Sequence, residues 1–176
     1  MSTKCVRGLC MVLLLLGTAS AALPADEPFV SIFGGFSDND ADTGAGNTIP
    51  FGVRLGSETP VAGAQLSLTF DRDGDVKMDT LMADLLLAFG SFDARTRRNR
   101  ILYNRVSGFG IIGLGAMRYD GGPGISTATI FSWELGVGMQ VKFTQRVGLR
   151  VQVQSLWTGP NNFRNLSADL GVAVYF

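Results

Sequence analysis

Apolar and polar residues alternate with a period of two along most of this chain. The alternation is clearest at 166–176, where small or polar residues separate the apolar positions Leu166, Ala168, Leu170, Val172, Val174 and Phe176. Successive side chains of a strand point to opposite faces, so this pattern predicts strands with one apolar face. Gly, Pro, Asn and Asp clusters divide the chain into eight such segments. They are 29–36, 51–56, 63–70, 81–90, 106–119, 131–143, 147–154 and 166–176.

Three of these segments are less regular. Segment 29–36 is apolar on both faces and segment 106–119 is rich in glycine, so the facing of both stays open. Segment 81–90 has a composition that would also suit a helix. We interpret it as a strand because its neighbours are strands and Gly90 ends the run.

The connections between the segments alternate in length. Long or medium connections at 37–48, 71–78, 120–128 and 157–164 alternate with short ones at 57–60 and 144–146. The exception is 93–104, which is long where a short turn is due. Alternating connections place one set of loops at each end of an up-and-down barrel. The predicted fold is therefore all-β, an eight-stranded antiparallel up-and-down β-barrel over residues 28–176.

The N-terminus has the three-part layout of a secretory signal peptide. Lys4 and Arg7 precede an apolar run at 8–17, and Ala19-Ser20-Ala21 follows as a cleavage signal. The run is too short to span a bilayer as a helix, which needs about 20 residues. We expect a signal peptide at 1–21, cleaved after Ala21 or Ala22, and a short lead at 22–27.

Composition excludes several classes of function. The chain has 15 basic and 15 acidic residues, so it lacks the basic footprint of a nucleic-acid-binding protein. It has no histidine, and both of its cysteines, Cys5 and Cys10, lie in the signal segment. Histidine-based and thiol-based catalysis are thereby removed. We predict no catalytic residue, no cofactor and no metal ligand.

Alternation by itself does not separate a membrane barrel from a soluble barrel with an apolar interior. A strand of about 11 residues tilted by about 40° spans roughly the 25 Å apolar band of a membrane barrel. The polar faces also carry long side chains of both charges, which can pair only across a shared lumen. These features favour a transmembrane barrel with its apolar face outward. The predicted structural network of lumen charges is Arg54, Asp84, Glu134, Lys142, Arg150 and Asp169.

Aromatic residues gather near the predicted strand ends, as membrane interfaces select. Near the long-loop end we expect Phe36, Phe51, Phe70, Tyr119, Phe131, Trp133 and Trp157. Near the short-turn end we expect Phe29, Phe89, Phe92, Tyr103, Phe143 and Phe176.

Three segments together resemble the outer-membrane protein A-like (porin-like) family of Gram-negative bacteria, over its barrel domain only. Leu166–Phe176 resembles the C-terminal assembly signal of outer-membrane proteins, with Leu170, Val172, Val174 and Phe176 at the signal positions. The stretch FGIIGLGAMRYD at 109–120 resembles the fifth strand of the family, and 133–156 resembles the sixth and seventh. The resemblance implies a protein of the cell outer membrane that contacts lipid and lipopolysaccharide. It also implies periplasmic chaperones and the barrel-assembly machinery as partners.

Two charged motifs were weighed as sites. Asp38, Asp40 and Asp42, like Asp71, Asp73 and Asp75, have the spacing that begins a calcium-binding loop. Both lack the glycine and glutamate that complete an EF-hand, so we interpret them as acidic solvated loops. The alternative is a weak cation site, or a cation bridge to lipopolysaccharide phosphates. The basic cluster Arg95, Arg97, Arg98, Arg100 and Arg105 is interpreted as a solvated turn, with binding of anionic lipid as the alternative.

The function expected from the sequence is structural, or surface interaction of an adhesion type through the outward loops, without catalysis. One rival is a narrow pore or conduit for small or hydrophobic solutes. Another is a soluble secreted barrel that binds a ligand.

Overall fold

The chain forms a closed barrel of eight antiparallel strands in the order β1 to β8. The computed structural model describes residues 27–39, 46–93, 105–122, 124, 126–159 and 163–176. Every strand pairs with its neighbours in the sequence, and β1 pairs with β8 to close the sheet. The predicted fold class is confirmed. The predicted signal peptide and lead at 1–26 lie outside the described residues.

The strands agree in number with the sequence prediction, and several are longer than predicted. They are β1 (Glu27–Asn39), β2 (Phe51–Glu58), β3 (Ala62–Asp73), β4 (Val76–Asp93), β5 (Arg105–Asp120), β6 (Ala128–Lys142), β7 (Val147–Thr158) and β8 (Phe163–Tyr175). The described residues include no helix long and apolar enough to cross a membrane.

The pairing register sets the tilt of the strands. Partners followed once around the barrel from Phe29 return to β1 at Asn39, a shift of 10 residues (39 − 29). A shift of this size over eight strands corresponds to a tilt of about 40°, within the usual range for barrels. Strands of 12 or more residues at this tilt exceed the roughly 25 Å apolar band of outer-membrane barrels.

The outer face of the barrel is apolar and the inner face is polar. Exposed apolar residues come from every strand, among them Ile32, Val53, Leu68, Leu85, Ile112, Leu135, Val151 and Leu170. The opposite face buries Ser, Gln, Arg, Asp, Glu and Lys side chains. This is the arrangement of a transmembrane barrel, in which lipid covers the outside, and it confirms the predicted outward apolar face.

The structure also fixes the two strands whose facing the sequence left open. In β1, Val30 and Ile32 are exposed, whereas Phe29 and Phe33 are buried inside. In β5, Ile112 and Leu114 are exposed, whereas Phe109, Ile111 and Met117 are buried. Glycine on neighbouring strands makes room for the inward rings: a Cβ at Gly138 would lie 2.4 Å from Phe109 Cζ.

The expected aromatic girdles are present in part. Phe36, Phe51, Phe131, Trp133, Phe89, Phe143 and Phe176 face outward and are exposed. Two of the expected interface residues point inward instead. Phe29 is 2% exposed and packs near Tyr175, and Tyr119 packs against a buried cluster of methionines. The side chain of Phe92 and all of Tyr103 lie outside the described residues.

The predicted alternation of long and short connections is wrong at 71–78. β3 continues to Asp73 and β4 begins at Val76, so residues 74 and 75 alone form the turn. Gly74 has a φ of 56°, a left-handed conformation that glycine adopts without a steric penalty. The aspartates that suggested a solvated loop therefore lie in or beside strands.

We call the barrel end that holds Glu27 and Tyr175 the terminal end, and the opposite end the loop end. The connections at the loop end span 40–50, 74–75, 121–127 and 159–162. Residues 46–50 run back along β1, where Thr48 pairs with Ser37. At the terminal end, the connections span 59–61, 94–104 and 143–146.

Candidate functional site: the lumen of the barrel

The six charged residues predicted to face the lumen all lie inside the barrel. Arg54, Asp84, Glu134, Lys142, Arg150 and Asp169 are each 4% exposed or less. They come from five strands whose inward positions follow the period of two. Because charges without water need partners, their contacts decide what the lumen can do.

Lys142 holds the terminal end of the lumen together. Its ammonium forms ion pairs with Glu27 and, at 3.4 Å, with Glu58. It also lies 3.8 Å from the centre of the Tyr175 ring, a cation–π contact. The Tyr175 hydroxyl donates a hydrogen bond of 2.9 Å to Gln140, which in turn donates to Glu58. The last strand is thereby tied to β2 and β6 across the lumen.

Arg150 occupies the next level of the lumen. Its guanidinium donates to Glu58 at 3.3 Å and to the side-chain oxygen of Gln65 at 3.4 Å. The Phe29 and Phe109 rings lie 4.2 and 4.7 Å from the guanidinium carbon. The two inward phenylalanines thus enclose a cation inside the barrel, which explains why they do not join the aromatic girdles.

Arg54 and Asp169 form the central ion pair. The guanidinium donates to both carboxylate oxygens, at 2.8 and 2.6 Å, and lies 3.6 Å from the centre of the Phe33 ring. Such a bidentate pair fixes the relative position of its two strands. β2 and β8 both flank β1, so the pair stabilises the closure of the barrel.

Asp84 and Glu134 are brought together, and among the described residues neither forms an ion pair with a basic side chain. They lie on either side of Gly113 on neighbouring strands, in direct register. Asp84 accepts a hydrogen bond of 2.9 Å from Gln65, whereas one oxygen of each carboxylate has no hydrogen-bond partner. Our expectation of oppositely charged pairs therefore describes four of the six residues.

A small cavity occupies the half of the lumen toward the loop end. Its volume is about 40 Å³, room for roughly three water molecules. Buried Met78, Met82 and Met117 line it together with the carboxylates of Asp71, Glu134 and Asp169. Within the described residues, no group of three or more His, Cys, Asp or Glu side chains is placed to hold a metal ion.

The remaining predicted sites fall at different places. Leu170, Val172, Val174 and Phe176 of the assembly signal are exposed on the outer face of the last strand. Asp71 is buried in the lumen, and Asp73 accepts a hydrogen bond of 2.8 Å from the Gly46 amide. Asp40, Asp42 and the basic residues from Arg95 to Arg100 lie outside the described residues, and only the backbone of Arg105 is described.

Sequence reasoning missed the acidic partners of the lumen cations. Glu58 lies four residues after Arg54 on the same face of β2, so the period of two could have assigned it to the lumen. We ended the segment at 56 and placed Glu58 in a turn. Glu27 falls in the predicted lead, so it was not assigned to the lumen either.

Aromatic pairs mark the loop end of the outer surface. Trp133 and Trp157 are cross-strand partners whose rings stack with centroids 4.2 Å apart. Phe51 and Phe70 form a second stacked pair at 5.4 Å. Aromatic side chains at this level suit the boundary between lipid tails and headgroups.

Two solved structures have a similar fold. Neisserial surface protein A is 17% identical with a TM-score of 0.57, and the match covers 86% of this chain and 97% of that chain. The N-terminal β-barrel domain of OprF from Pseudomonas aeruginosa is 15% identical with a TM-score of 0.58, and the match covers 86% and 100%. No protein-family model and no curated protein matches the sequence. The likeness shows the fold, that of the small eight-stranded outer-membrane barrels.

Proposed function

We propose that this protein is an integral protein of the outer membrane, with a structural or surface-interaction role and no catalytic activity. The observation that carries the proposal is the distribution of polarity in the barrel. Apolar residues cover the outside, and charged side chains that contact one another fill the inside. Contact of this apolar surface with lipid tails is favourable, whereas its contact with water is unfavourable. In this proposal the barrel is the anchor, and the connections at the loop end meet the outside of the cell.

The packing of the lumen favours a closed scaffold over a pore. Arg54, Arg150 and Gln152 are 0% exposed, and a continuous water path past them would leave part of each in contact with solvent. A conduit would require the bidentate Arg54–Asp169 pair to break, which costs several kcal/mol for buried ions. The pore is therefore the less favoured role.

The outer face argues against the soluble secreted barrel. Large exposed apolar side chains on every strand would form a patch far larger than the few hundred Å² that soluble monomers expose. We propose instead that this face contacts the bilayer and lipopolysaccharide. The exposed apolar positions of the last strand, up to Phe176, are proposed to be read by periplasmic chaperones and the barrel-assembly machinery.

Fractionation with heat modifiability tests the proposed location. We expect the protein in the outer-membrane fraction and a change of SDS-gel mobility on boiling, because a closed sheet with all backbone groups paired resists SDS. Recovery in the soluble periplasmic fraction without a shift would contradict the proposal and favour the soluble barrel.

Planar bilayers distinguish the scaffold from the pore. The purified protein is expected to give no resolved conductance steps. Steps that persist in several preparations, and that change in size when Arg54→Ala opens the central level, would assign the conduit role instead.

A further inference from the structure

Three of the four methionines that follow the signal segment converge on one cavity. Met78 and Met82 lie on β4, and Met117 lies on β5 opposite Thr80, which stands between them. Met117 is thus a diagonal neighbour of both, at about 7–8 Å between Cα atoms, a separation that flexible methionine side chains bridge. All three side chains are 5% exposed or less and form one buried cluster with Leu156.

The same cavity is lined by carboxylates that, within the described residues, make few polar contacts. Its lining includes three carboxylates and no Lys or Arg, and within the described residues Asp169 alone of the three forms an ion pair with an arginine. Glu134 is 1% exposed and Asp71 is 5% exposed, and each has one carboxylate oxygen without a hydrogen-bond partner. Buried carboxylates in this state are stabilised by taking up either a proton or a cation.

The donor set determines which class of cation fits. Calcium and magnesium take six or more oxygen ligands in most sites, and thioether sulfur is not among the ligands they prefer. Thioethers select soft ions such as Cu⁺. We propose that the cavity binds a soft monovalent cation of the Cu⁺ class through Met82 and Met117, with Met78 as a further donor and Glu134 balancing the charge.

The cavity lies in the half of the lumen toward the loop end, and we take that end as the entrance in this proposal. Met78 lies two residues from the start of β4 at the loop end, whereas Arg54 and Arg150 fill the lumen on the terminal side. A cation therefore enters from the loop end and is held, since the two guanidinium groups repel it from the levels below. The site would sequester the ion at the cell surface.

Titration of the purified full-length protein in detergent micelles tests the site, with Ag⁺ and Cu⁺ as probes under reducing conditions. Competition with a chromogenic Cu⁺ chelator measures affinity, and X-ray absorption at the copper edge identifies the ligand atoms. We expect one equivalent bound and sulfur scatterers in the first shell. Absence of competition, or a shell of oxygen and nitrogen alone, would overturn the proposal without reference to any variant.

Matched variants assign the sulfurs. Met82→Leu with Met117→Leu keeps side-chain volume and removes both thioethers, and we expect affinity to fall at least about tenfold, as loss of metal-site contacts commonly does. Met139→Leu is the control, because Met139 is 47% exposed on the outer face. Heat modifiability establishes that each variant is folded. Equal affinity in the double variant and the Met139 control would refute the assignment, as would tighter binding of Ca²⁺ than of Cu⁺.

Glu134→Gln tests the part assigned to the carboxylate. It keeps the shape of the side chain and removes its charge, so we expect weaker Cu⁺ binding with sulfur scattering unchanged. An affinity equal to that of the unaltered protein would remove Glu134 from the site.

Discussion

At the scale of single residues, the charged side chains of the lumen differ in whether they have a partner of opposite charge. Lys142, Arg150 and Arg54 lie in the terminal and central levels and are bound by Glu27, Glu58 and Asp169. Two carboxylates without an ion pair in the described residues, Asp71 and Glu134, line the cavity toward the loop end, whereas Asp84 lies beside Gln65. Because buried ions lose their hydration, removal of one partner is more damaging than removal of a whole pair. Substitution in the Arg54–Asp169 pair tests how much the loss of one partner destabilises the barrel.

Asp169→Asn is expected to destabilise the barrel by about 3–5 kcal/mol, because it leaves the Arg54 guanidinium buried with half of its compensating contacts. The measurement is the free energy of unfolding from urea titration in micelles.

The matched control is Asp79→Asn. Asp79 forms an ion pair of 2.5 Å with Arg72, and the side chains of Arg72 and Asp79 are 38% and 33% exposed. A pair in contact with solvent contributes about 1 kcal/mol or less. Equal effects of the two substitutions would show that water reaches the central pair, which would contradict the proposal that the lumen is closed.

Gly113→Ala is expected to cost about 1–3 kcal/mol through overpacking. A Cβ at this position would lie 2.2 Å from Asp84 Oδ1 and 2.7 Å from Glu134 Cγ, two side chains that the lumen confines. Gly34→Ala is the control, since its Cβ would meet only the Pro50 carbonyl at 3.8 Å, and we expect an effect within about 0.5 kcal/mol. Urea titration of both variants in the same detergent compares them, and equal stability would contradict the close packing around Gly113.

At the scale of strands, the sequence predicts the fold well where one face is uniformly apolar. β6, β7 and β8 keep the period of two through 131–143, 147–154 and 166–176, so a shift by one residue would turn the polar face of these segments toward lipid. The turn between β3 and β4 was not predicted. Its aspartates are typical of loops, but the backbone pairing of β3 with β4 continues through Asp71 to the pair Asp73–Val76.

The lumen was predicted less completely than the strands, for a physical reason. The period of two assigns a residue to the inside but does not say which other inside residue it meets. That depends on the 10-residue register shift, which brings Lys142 of β6 to Glu27 of β1. The methionines were missed because a thioether near a strand end resembles ordinary apolar packing in the sequence.

Ile112→Arg is expected to destabilise the barrel by about 2–4 kcal/mol, the cost of a cation facing lipid near the bilayer midplane. Ile112 lies halfway along β5 on the outer face and is 48% exposed. Ile49→Arg is the matched control, because Ile49 is 77% exposed at the loop end, where the cost falls to about 1 kcal/mol or less. Folding yield and urea titration in lipid vesicles measure both, and tolerance of arginine at 112 would contradict an outward face in lipid.

At the scale of the whole molecule, the two ends of the barrel differ in chemistry. The terminal end is closed by Lys142, Arg150 and their acidic partners, together with inward aromatic rings. The loop end contains the methionine-lined cavity and the stacked pair Trp133–Trp157. If the loop end faces outward, the cavity lies toward the exterior, and the end that contains the side-chain ion pairs of Lys142 and Arg150 faces the periplasm. The orientation in the membrane thus decides whether the proposed cation site and surface role can operate.

Single cysteines measure that orientation directly, because both natural cysteines lie at positions 5 and 10, in the predicted signal segment. Asp75→Cys places a thiol in the exposed turn at the loop end, and Gln145→Cys places one in the exposed turn between β6 and β7 at the terminal end. A membrane-impermeant maleimide is expected to label the first in intact cells and the second only after the outer membrane is permeabilised. Labelling of Gln145→Cys alone in intact cells would show that the barrel has the opposite orientation, with the proposed cation site facing the periplasm. Labelling of both would mean that the barrel does not span the outer membrane.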